Sequence, residues 1–358
     1  MKKYPVVGKN IFKALGSRPL GRHPLGFRPG GRHPLGFRPG GLIDVRSPAE
    51  YQQGHIPGAF NLPLFDDRER AAVGTAYTRQ GKDAALHLGL ELAGPKLTYF
   101  VQKAGEIAQG EEILVHCWRG GMRSEAMAWL LNFAGMKATI LPGGYKAYRR
   151  SVAELFKNDF RFIVLGGMTG CGKTELIQWL HSIGEQVIDL EKLARHKGSA
   201  FGALGQPEQP TQEQFENDLA DCLEKLDPGQ TIWIEDESRN IGKVIIPGAI
   251  YEAVCRSEVV LIERPFVERV NRLLNEYGYF ENRELSEIII KISKRIGGDV
   301  AQAALKELES GEVRGAIEII LKYYDKTYAY GLSKRPDDNI TRISIEDFKN
   351  LAFIRPAP

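Results

Sequence analysis

The chain has 358 residues, 43% hydrophobic and 26% charged, a balance that excludes a disordered chain and a length that exceeds one usual domain, so two are expected. Its net charge of +3 permits a nucleic-acid partner without demanding one. The four cysteines Cys117, Cys171, Cys222 and Cys255 form no CxxC pair, which excludes a zinc ribbon or disulfide framework and suits a reducing cytoplasm.

Residues 1–16 carry lysines but no continuous apolar stretch, and no apolar run anywhere approaches the roughly eighteen residues a membrane span needs, so neither export nor membrane insertion is expected. Residues 17–40 hold a tandem repeat: Gly21 to Gly30 (GRHPLGFRPG) recurs unchanged as Gly31 to Gly40, and Leu15 to Leu20 looks like a degraded copy. The density of Gly and Pro leaves no room for a helix or a paired strand, so the segment reads as a solvated insertion. Arg18, Arg22, Arg28, Arg32 and Arg38, with no acid among them, keep an RNA-touching arm open as the alternative.

After the insertion, Leu42 to Val45 suit a short buried strand, Ser47 can cap a helical turn with Glu50 in the capping-box position, and HIPGA at residues 55–59 reads as a turn into another strand. Residues 66–89 are charged and partly helical, and Arg68, Arg70, Arg79 and Lys82 there can face a polyanion. The run EILV from Glu112 is a buried strand, and EAMAWLLNF from Glu125 has helical spacing, so Cys117 sits in a strand-to-helix turn. Gly120 and Gly121 let that turn fold tightly with its amides inward, and the following helix adds the positive end of its dipole. With Arg119 and Arg123 nearby, the environment favours a thiolate, and Arg123 can hold an oxyanion through two hydrogen bonds. Beyond it, Gly143 to Lys146 with Arg149 and Arg150 form a basic cluster, in which Tyr145 and Tyr148 are candidates to stack on bases.

The second half opens with a strand at Phe162 to Leu165, a GxxxxGK[ST] match from Gly167 to Thr174, and a helix from Glu175: a P-loop in its required context. Gly167, Gly170 and Gly172 shape the phosphate nest, Lys173 reaches the terminal phosphates, and Thr174 can ligate Mg²⁺. TIWI at residues 231–234 followed by Glu235, Asp236 and Glu237 reads as an acidic strand, with Asp236 or Glu235 expected to hold metal or water. Val259 to Glu263 supply a third strand. Ile288 to Ile296, Val300 to Leu308 and Arg314 to Tyr324 read as packed helices, with Tyr323, Tyr324, Tyr328 and Tyr330 among lysines and arginines that can meet RNA.

The DVR at residues 44–46, the EYQQGHIPGAFN run and the cysteine loop together resemble a rhodanese domain. That resemblance implies an α/β fold carrying sulfur or selenium on a cysteine, with Asp44, Arg46, Glu50 and His55 around or beneath the Cys117 loop. Simple rhodaneses usually place the arginine five residues after the cysteine, whereas Arg123 is six after Cys117, a spacing shared with cysteine-dependent phosphatases; a loop of that size also suits a tetrahedral selenophosphate or thiophosphate. The fusion of CWRGGMRS with GGMTGCGKTEL, together with ERAAVGTAYTRQGKDAALHLG, LPGGYKAYRR and RIGGDVAQAALKELESGE, resembles the bacterial tRNA 2-selenouridine synthases over nearly the whole chain.

The fold expected is α/β: a rhodanese-like domain at residues 41–150, then a P-loop NTPase-like parallel-sheet domain at residues 158–358 with a helical C-terminal part. The resemblance implies replacement of sulfur by selenium at carbon 2 of a wobble uridine in the tRNA anticodon loop, with selenophosphate as donor and an S-geranylated intermediate made from geranyl diphosphate. Cys117 is then the selenium-handling nucleophile, while Arg119, Arg123 and the loop residues Gly120, Gly121 and Ser124 bind the donor's phosphate. The P-loop ligand is either ATP or geranyl diphosphate, Mg²⁺ at Thr174 and Asp236 is a candidate, and no tightly bound cofactor is expected. A selenophosphate-supplying enzyme is a candidate partner. Two other readings stay open on the residues alone: a phosphatase fused to a P-loop kinase, and a non-catalytic sulfur carrier or nucleotide switch.

Overall fold

The computed structural model describes residues 41–110 and 112–348; the N-terminal segment and the decapeptide insertion lie outside the described residues. Two compact units emerge. One runs to Lys157 and also takes in Glu213–Glu224, which sequence order alone assigns to the P-loop half; the other holds the remainder.

In the first unit β1 (Gly41–Asp44), α1 (Pro48–Gln53), β2 (Phe60–Asn61), α2 (Asp67–Gln80), α3 (Lys82–Ala93), α4 (Leu97–Ala108), β3 (Ile113–His116), α5 (Met122–Phe133), β4 (Ala138–Ile140) and α6 (Gly144–Leu155) follow in order. The strands form a four-stranded sheet, β2-β1-β3-β4, parallel at every pairing. GLID and ILVH are short runs with every residue buried, as expected of strands covered on both faces. Ile43, Phe100, Val115, Met127 and Leu131, all fully buried, form the centre of the core. Asp44 pairs in register with His116, so the segments bearing Arg46 and Cys117 leave the sheet at the same carboxyl edge, where parallel sheets place their sites.

The second unit contains β5 (Phe162–Gly167), α7 (Lys173–Ser182), β6 (Gln186–Ile188) and α8 (Leu190–Ala194). Next comes α9 (Gln212–Glu224), nearly all of which groups with the first unit. The chain continues through β7 (Ile232–Glu235), a hairpin of β8 (Asn240–Ile241) and β9 (Val244–Ile245), α10 (Gly248–Arg256) and β10 (Glu258–Glu263). Four helices follow, α11 (Phe266–Tyr277), α12 (Asn282–Ile296), α13 (Gly298–Glu309) and α14 (Val313–Leu332), and then β11 (Ile340–Ser344). The sheet order is β11-β10-β5-β7-β6, all parallel. Because β7 and β10 flank β5 on opposite sides, the loop after β5 opens at the point where the winding reverses, the usual ligand crevice of such sheets. The apolar faces of α11 to α14 pack into a separate helical core. Among the described residues no helix is long and apolar enough to cross a membrane.

Candidate functional site

Cys117 leaves β3 into a turn closed by the start of α5. Its side chain is 4% exposed, with Sγ 3.3 Å from Ser124 Oγ and 3.9 Å from the Gly121 carbonyl oxygen. Burial is the largest influence on this thiol and opposes ionisation. Hydrogen bonds from the Ser124 hydroxyl and from the Arg119 and Ser124 amides, with the charge of Arg123, outweigh it, so its pKa lies below the ordinary cysteine value.

The orientation of those amides follows from how the turn is braced. Tyr145 N–H donates to the Cys117 carbonyl at 2.9 Å, and Lys146 N–H to the Trp118 carbonyl at 2.9 Å. A peptide group whose carbonyl faces α6 must turn its N–H the opposite way, which aims the Arg119 amide at the thiol. The fit demands glycine: Gly144 has φ +56°, and a Cβ there would collide with the Cys117 carbonyl and lie 2.6 Å from the Gly120 nitrogen. Gly120 has φ +72°, and a Cβ there would lie 2.9 Å from the Leu141 carbonyl oxygen. The PGGY segment is therefore the back wall of the cysteine turn.

Arg123 is held by Glu50 through two hydrogen bonds, 2.6 Å to Oε2 and 3.3 Å to Oε1. Glu50 feels burial first, which raises its pKa, but Arg123 and the Ser47 amide bring it below the usual carboxylate value, so it stays ionised as the positioning partner of Arg123. The same carboxylate closes the capping box of α1 by accepting from Ser47 N–H at 3.1 Å. Arg119 is exposed on the turn.

Beneath lies a buried ion pair. Arg46 donates from Nε to both oxygens of Asp44 at 3.0 Å and from Nη2 at 2.6 Å, and again from Nη2 to the Gly54 carbonyl at 2.7 Å. Its guanidinium lies 3.8 Å from the ring centroid of Tyr145, which ties the pair to the segment bracing Cys117. His116 is fully buried with neither ring nitrogen hydrogen-bonded, and burial holds its pKa down, so it is a neutral imidazole under the turn.

The expected stacking of bases on Tyr145 and Tyr148 is overturned: their side chains are 0% and 4% exposed. Tyr145 donates its hydroxyl to Glu213 at 2.7 Å and accepts from Asn217 at 2.8 Å, both on α9. Arg149 is likewise engaged by Asn217 at 2.6 Å and by Glu216. His55 stacks on Tyr51 at 3.9 Å and exchanges backbone contacts with Gln214 and Asn217, so it anchors α9 and stands outside the cysteine turn. Sequence reading missed α9 because nothing in QEQFENDLADCLE says which domain its buried face meets.

In the second unit, Gly170 and Gly172 take φ +80° and +95°, and Lys173 begins α7, so the loop turns tightly into a helix N-terminus. Lys173 Nζ is 3.3 Å from the Gly167 carbonyl and 3.8 Å from Glu237, and Thr174 donates to Glu191 at 2.9 Å. Burial works against the Lys173 charge, but Glu237 and its neighbours outweigh it and hold its pKa well above the usual lysine value. Glu235 is fully buried, with one oxygen accepting from the Glu191 amide at 3.2 Å and the other without a partner. Burial first, then Glu191, Asp189 and Glu237, push its pKa well above the ordinary range. Glu237 is pushed up to about 8, again chiefly by burial.

Asp236 departs from expectation. Its two oxygens accept from Tyr328 at 2.7 Å and Arg335 at 2.7 Å, while Tyr328 also accepts from Gly167 N–H at 2.8 Å. It therefore buttresses the first residue of the P-loop. Among the described residues, no group of three or more His, Cys, Asp or Glu is arranged to hold a metal ion. Cys171 is buried, and burial raises its pKa, which disfavours the thiolate.

Residues that sequence reading missed lie beyond β6 and β10. Glu191 meets Thr174, as described. Arg269, 4% exposed, donates to the Thr169 carbonyl of the P-loop at 3.1 Å and to Asp325 at 2.8 and 2.7 Å. Arg272 lies against Gly172 and pairs with Glu175 at 2.6 Å. The Nε atoms of Arg264, Arg269 and Arg272 are buried without partners. The one signal available was spacing, three arginines within nine residues after VVLIE.

A family model described as the tRNA 2-selenouridine synthase AAA domain matches residues 160–353, and a rhodanese-like domain model matches residues 34–151. A tRNA 2-selenouridine synthase of Nitrosomonas europaea is 34% identical over 82% of this chain and 89% of its own. The chain belongs to the tRNA 2-selenouridine synthase family. Other members include those of Cupriavidus pinatubonensis and Nitrosomonas eutropha, 37% and 39% identical, each over 82% of this chain and 89% of the relative. Arg68, Arg70, Arg79 and Lys82 of α2 and α3 are exposed, with Arg70 3.9 Å from Glu50. Of the four tyrosines expected near RNA, Tyr330 is exposed, with Lys334 over its ring at 4.4 Å. Tyr328 serves Asp236, Tyr324 accepts from the Ala200 amide at 3.2 Å, and Tyr323 donates to the Arg295 carbonyl at 2.8 Å.

Proposed function

We propose that the protein is a tRNA-modifying enzyme that replaces sulfur by selenium at carbon 2 of a wobble 2-thiouridine. Selenophosphate donates the selenium, and geranyl diphosphate supplies the group that activates the sulfur. The observation that carries this reading is the Cys117 turn, a thiol of lowered pKa at a helix terminus with inward amides and Arg123 at hand, in a chain of this family that also bears a P-loop.

The chemistry balances in four steps. Alkylation of the thiocarbonyl sulfur by geranyl diphosphate forms a C–S bond and releases diphosphate, whose charge Lys173 and the P-loop amides are built to receive. At the other nest, Cys117 attacks the phosphorus of selenophosphate: the S–P bond forms, the P–Se bond breaks, and selenide departs with no change of oxidation state. Water later hydrolyses the thiophosphate and restores the thiol. Selenide then adds at carbon 2, and the geranyl thiol leaves in place of a far poorer sulfide leaving group. The substrate is the anticodon loop of tRNA, to which exposed Arg and Lys side chains supply phosphate contacts.

Mass spectrometry of wobble nucleosides from selenite-fed cells with and without the gene tests the reading. Gene-dependent 2-selenouridine is expected, and 2-thiouridine unchanged with 2-selenouridine absent in both strains would refute it.

A further inference from the structure

The second unit holds a polar cavity of about 330 Å³ beside its P-loop, within the range of small-ligand sites. One wall is α7, where Thr174 and Gln178 stand one turn apart on the same face. The other is α8, whose caps Asp189 and Arg195 and intervening Glu191 and Lys192 all border the cavity, and Gln206 closes it from the loop beyond. Thr174 directly follows Lys173 and donates to Glu191 at 2.9 Å, so an occupant lies against the first turn of the P-loop helix. Asp189 accepts from the Lys192 amide at 2.8 Å and Arg195 donates to the Glu208 carbonyl at 3.1 Å, which hold the wall in shape. Lys192 and Arg195 are exposed and form the rim.

We infer that this cavity receives one nucleotide of an RNA strand, the one to be modified, with Lys192 and Arg195 toward its flanking phosphates and Gln178, Glu191 and Gln206 toward its base edge. The inference deepens the reading given above and rests on it. The chemistry of the wall narrows the occupant. A hydrocarbon would desolvate two carboxylates and two carboxamides for nothing in return. An inorganic oxyanion would be drawn by the cations but repelled by Asp189 and Glu191. A bare divalent cation would face Lys192 and Arg195, and among the described residues no group of three or more His, Cys, Asp or Glu is arranged to hold one. A pyrimidine nucleotide brings the matching mixture: anionic phosphates, ribose hydroxyls, and a base edge whose N–H donor stands between two acceptors. A carboxylate accepts from that N–H, and carboxamides donate to the acceptors beside it. Position agrees with chemistry. Transfer from a diphosphate at Lys173 requires the acceptor base within bonding reach of it, and Thr174 belongs both to the P-loop and to the cavity wall. Bases of a single-stranded loop are free to be splayed out one at a time into such a pocket.

Photocrosslinking tests the assignment. The full chain is mixed with an anticodon-arm hairpin carrying 4-thiouridine at the wobble position, irradiated, and mapped by peptide mass spectrometry. Crosslinks are expected at Gln178 and within residues 189–207. Gln178→Trp fills the cavity from an exposed helical position, so those crosslinks should be lost while the melting temperature is kept. Lys192→Ala should lower the slope of log affinity against log salt by about one, as loss of one phosphate contact does. Uridine monophosphate at the hairpin's concentration should not displace the RNA, because it lacks the neighbouring phosphates; displacement would mark a free-nucleotide site and overturn the inference. Wild-type crosslinks confined to other segments, or unchanged in a folded Gln178→Trp, would overturn it as well. The wobble-nucleoside measurement separates the two claims. Gene-dependent 2-selenouridine without crosslinks at the cavity removes the cavity alone, while crosslinks there without 2-selenouridine remove the selenium reading and leave an RNA nucleotide site.

Discussion

Replacing Ser124 by alanine isolates the hydrogen bond that most favours the Cys117 thiolate. Ser124 has one hydroxyl proton and two acceptors in reach, the Gly121 carbonyl at 2.9 Å and the cysteine sulfur at 3.3 Å. With a neutral thiol the proton stays on the carbonyl; once the sulfur ionises, the proton turns to it. The switch gains a hydrogen bond to a charged group, about 1.5–3 kcal/mol, and gives up a neutral one worth about 1 kcal/mol. Gly121 is not stranded, because its carbonyl also accepts from the Glu125 amide at 3.0 Å. The net of about 0.5–2 kcal/mol corresponds to roughly 2- to 30-fold less thiolate at any pH below the cysteine pKa. Iodoacetamide alkylation of the Cys117 peptide, followed by mass spectrometry from pH 5 to 10, reads this directly and excludes signal from exposed Cys255. Ser124→Ala should be slower on the acid side and converge with the wild type at high pH, where both thiols are ionised. Superimposable profiles would refute the assignment of Ser124 as the group that lowers the pKa.

Gly144→Ala forces a side chain into the back of the cysteine turn and a left-handed conformation onto alanine, which alone costs about 1–2 kcal/mol, so a lower melting temperature and slower Cys117 alkylation are expected. Glu235→Gln should stabilise the protein increasingly as pH rises from 5 to 8. The folded-state pKa of Glu235 is raised, so ionisation above the ordinary glutamate value costs the native state more than the unfolded one, and glutamine removes that cost; melting curves at the two pH values check the sign. Cys117→Ser should abolish selenation yet accumulate geranylated tRNA, whereas Lys173→Ala should lose geranylation by roughly 10²-fold while still selenating tRNA supplied already geranylated. Single-turnover assays of both variants with both tRNA forms decide this, and failure of a folded, tRNA-binding Cys117→Ser to geranylate would show that the two sites are one.

The corrected expectations share a cause. Tyr145 and Tyr148 stand among arginines and a lysine in LPGGYKAYRR, and composition cannot tell a stacking platform from a core face; helical spacing puts both rings inward, and α9 covers them. Asp236 follows a buried strand directly, as a metal-holding carboxylate would, but Tyr328 and Arg335, nearly a hundred residues on, claim both its oxygens.

What the sequence determines by itself is local: a strand, a tight glycine turn and a helix N-terminus lie within a few residues of one another, so both glycine turns, with Cys117 in one and Lys173 opening the helix of the other, can be read from spacing alone. Tertiary structure alone decides which charges those turns keep. Glu50 claims Arg123, Glu237 faces Lys173, Arg269 reaches Thr169, and the PGGY turn aims the amides at Cys117. The physical reason is range: backbone geometry is set by neighbours in sequence, whereas burial, ion pairing and hydrogen bonding depend on which distant side chains the fold brings within a few ångströms.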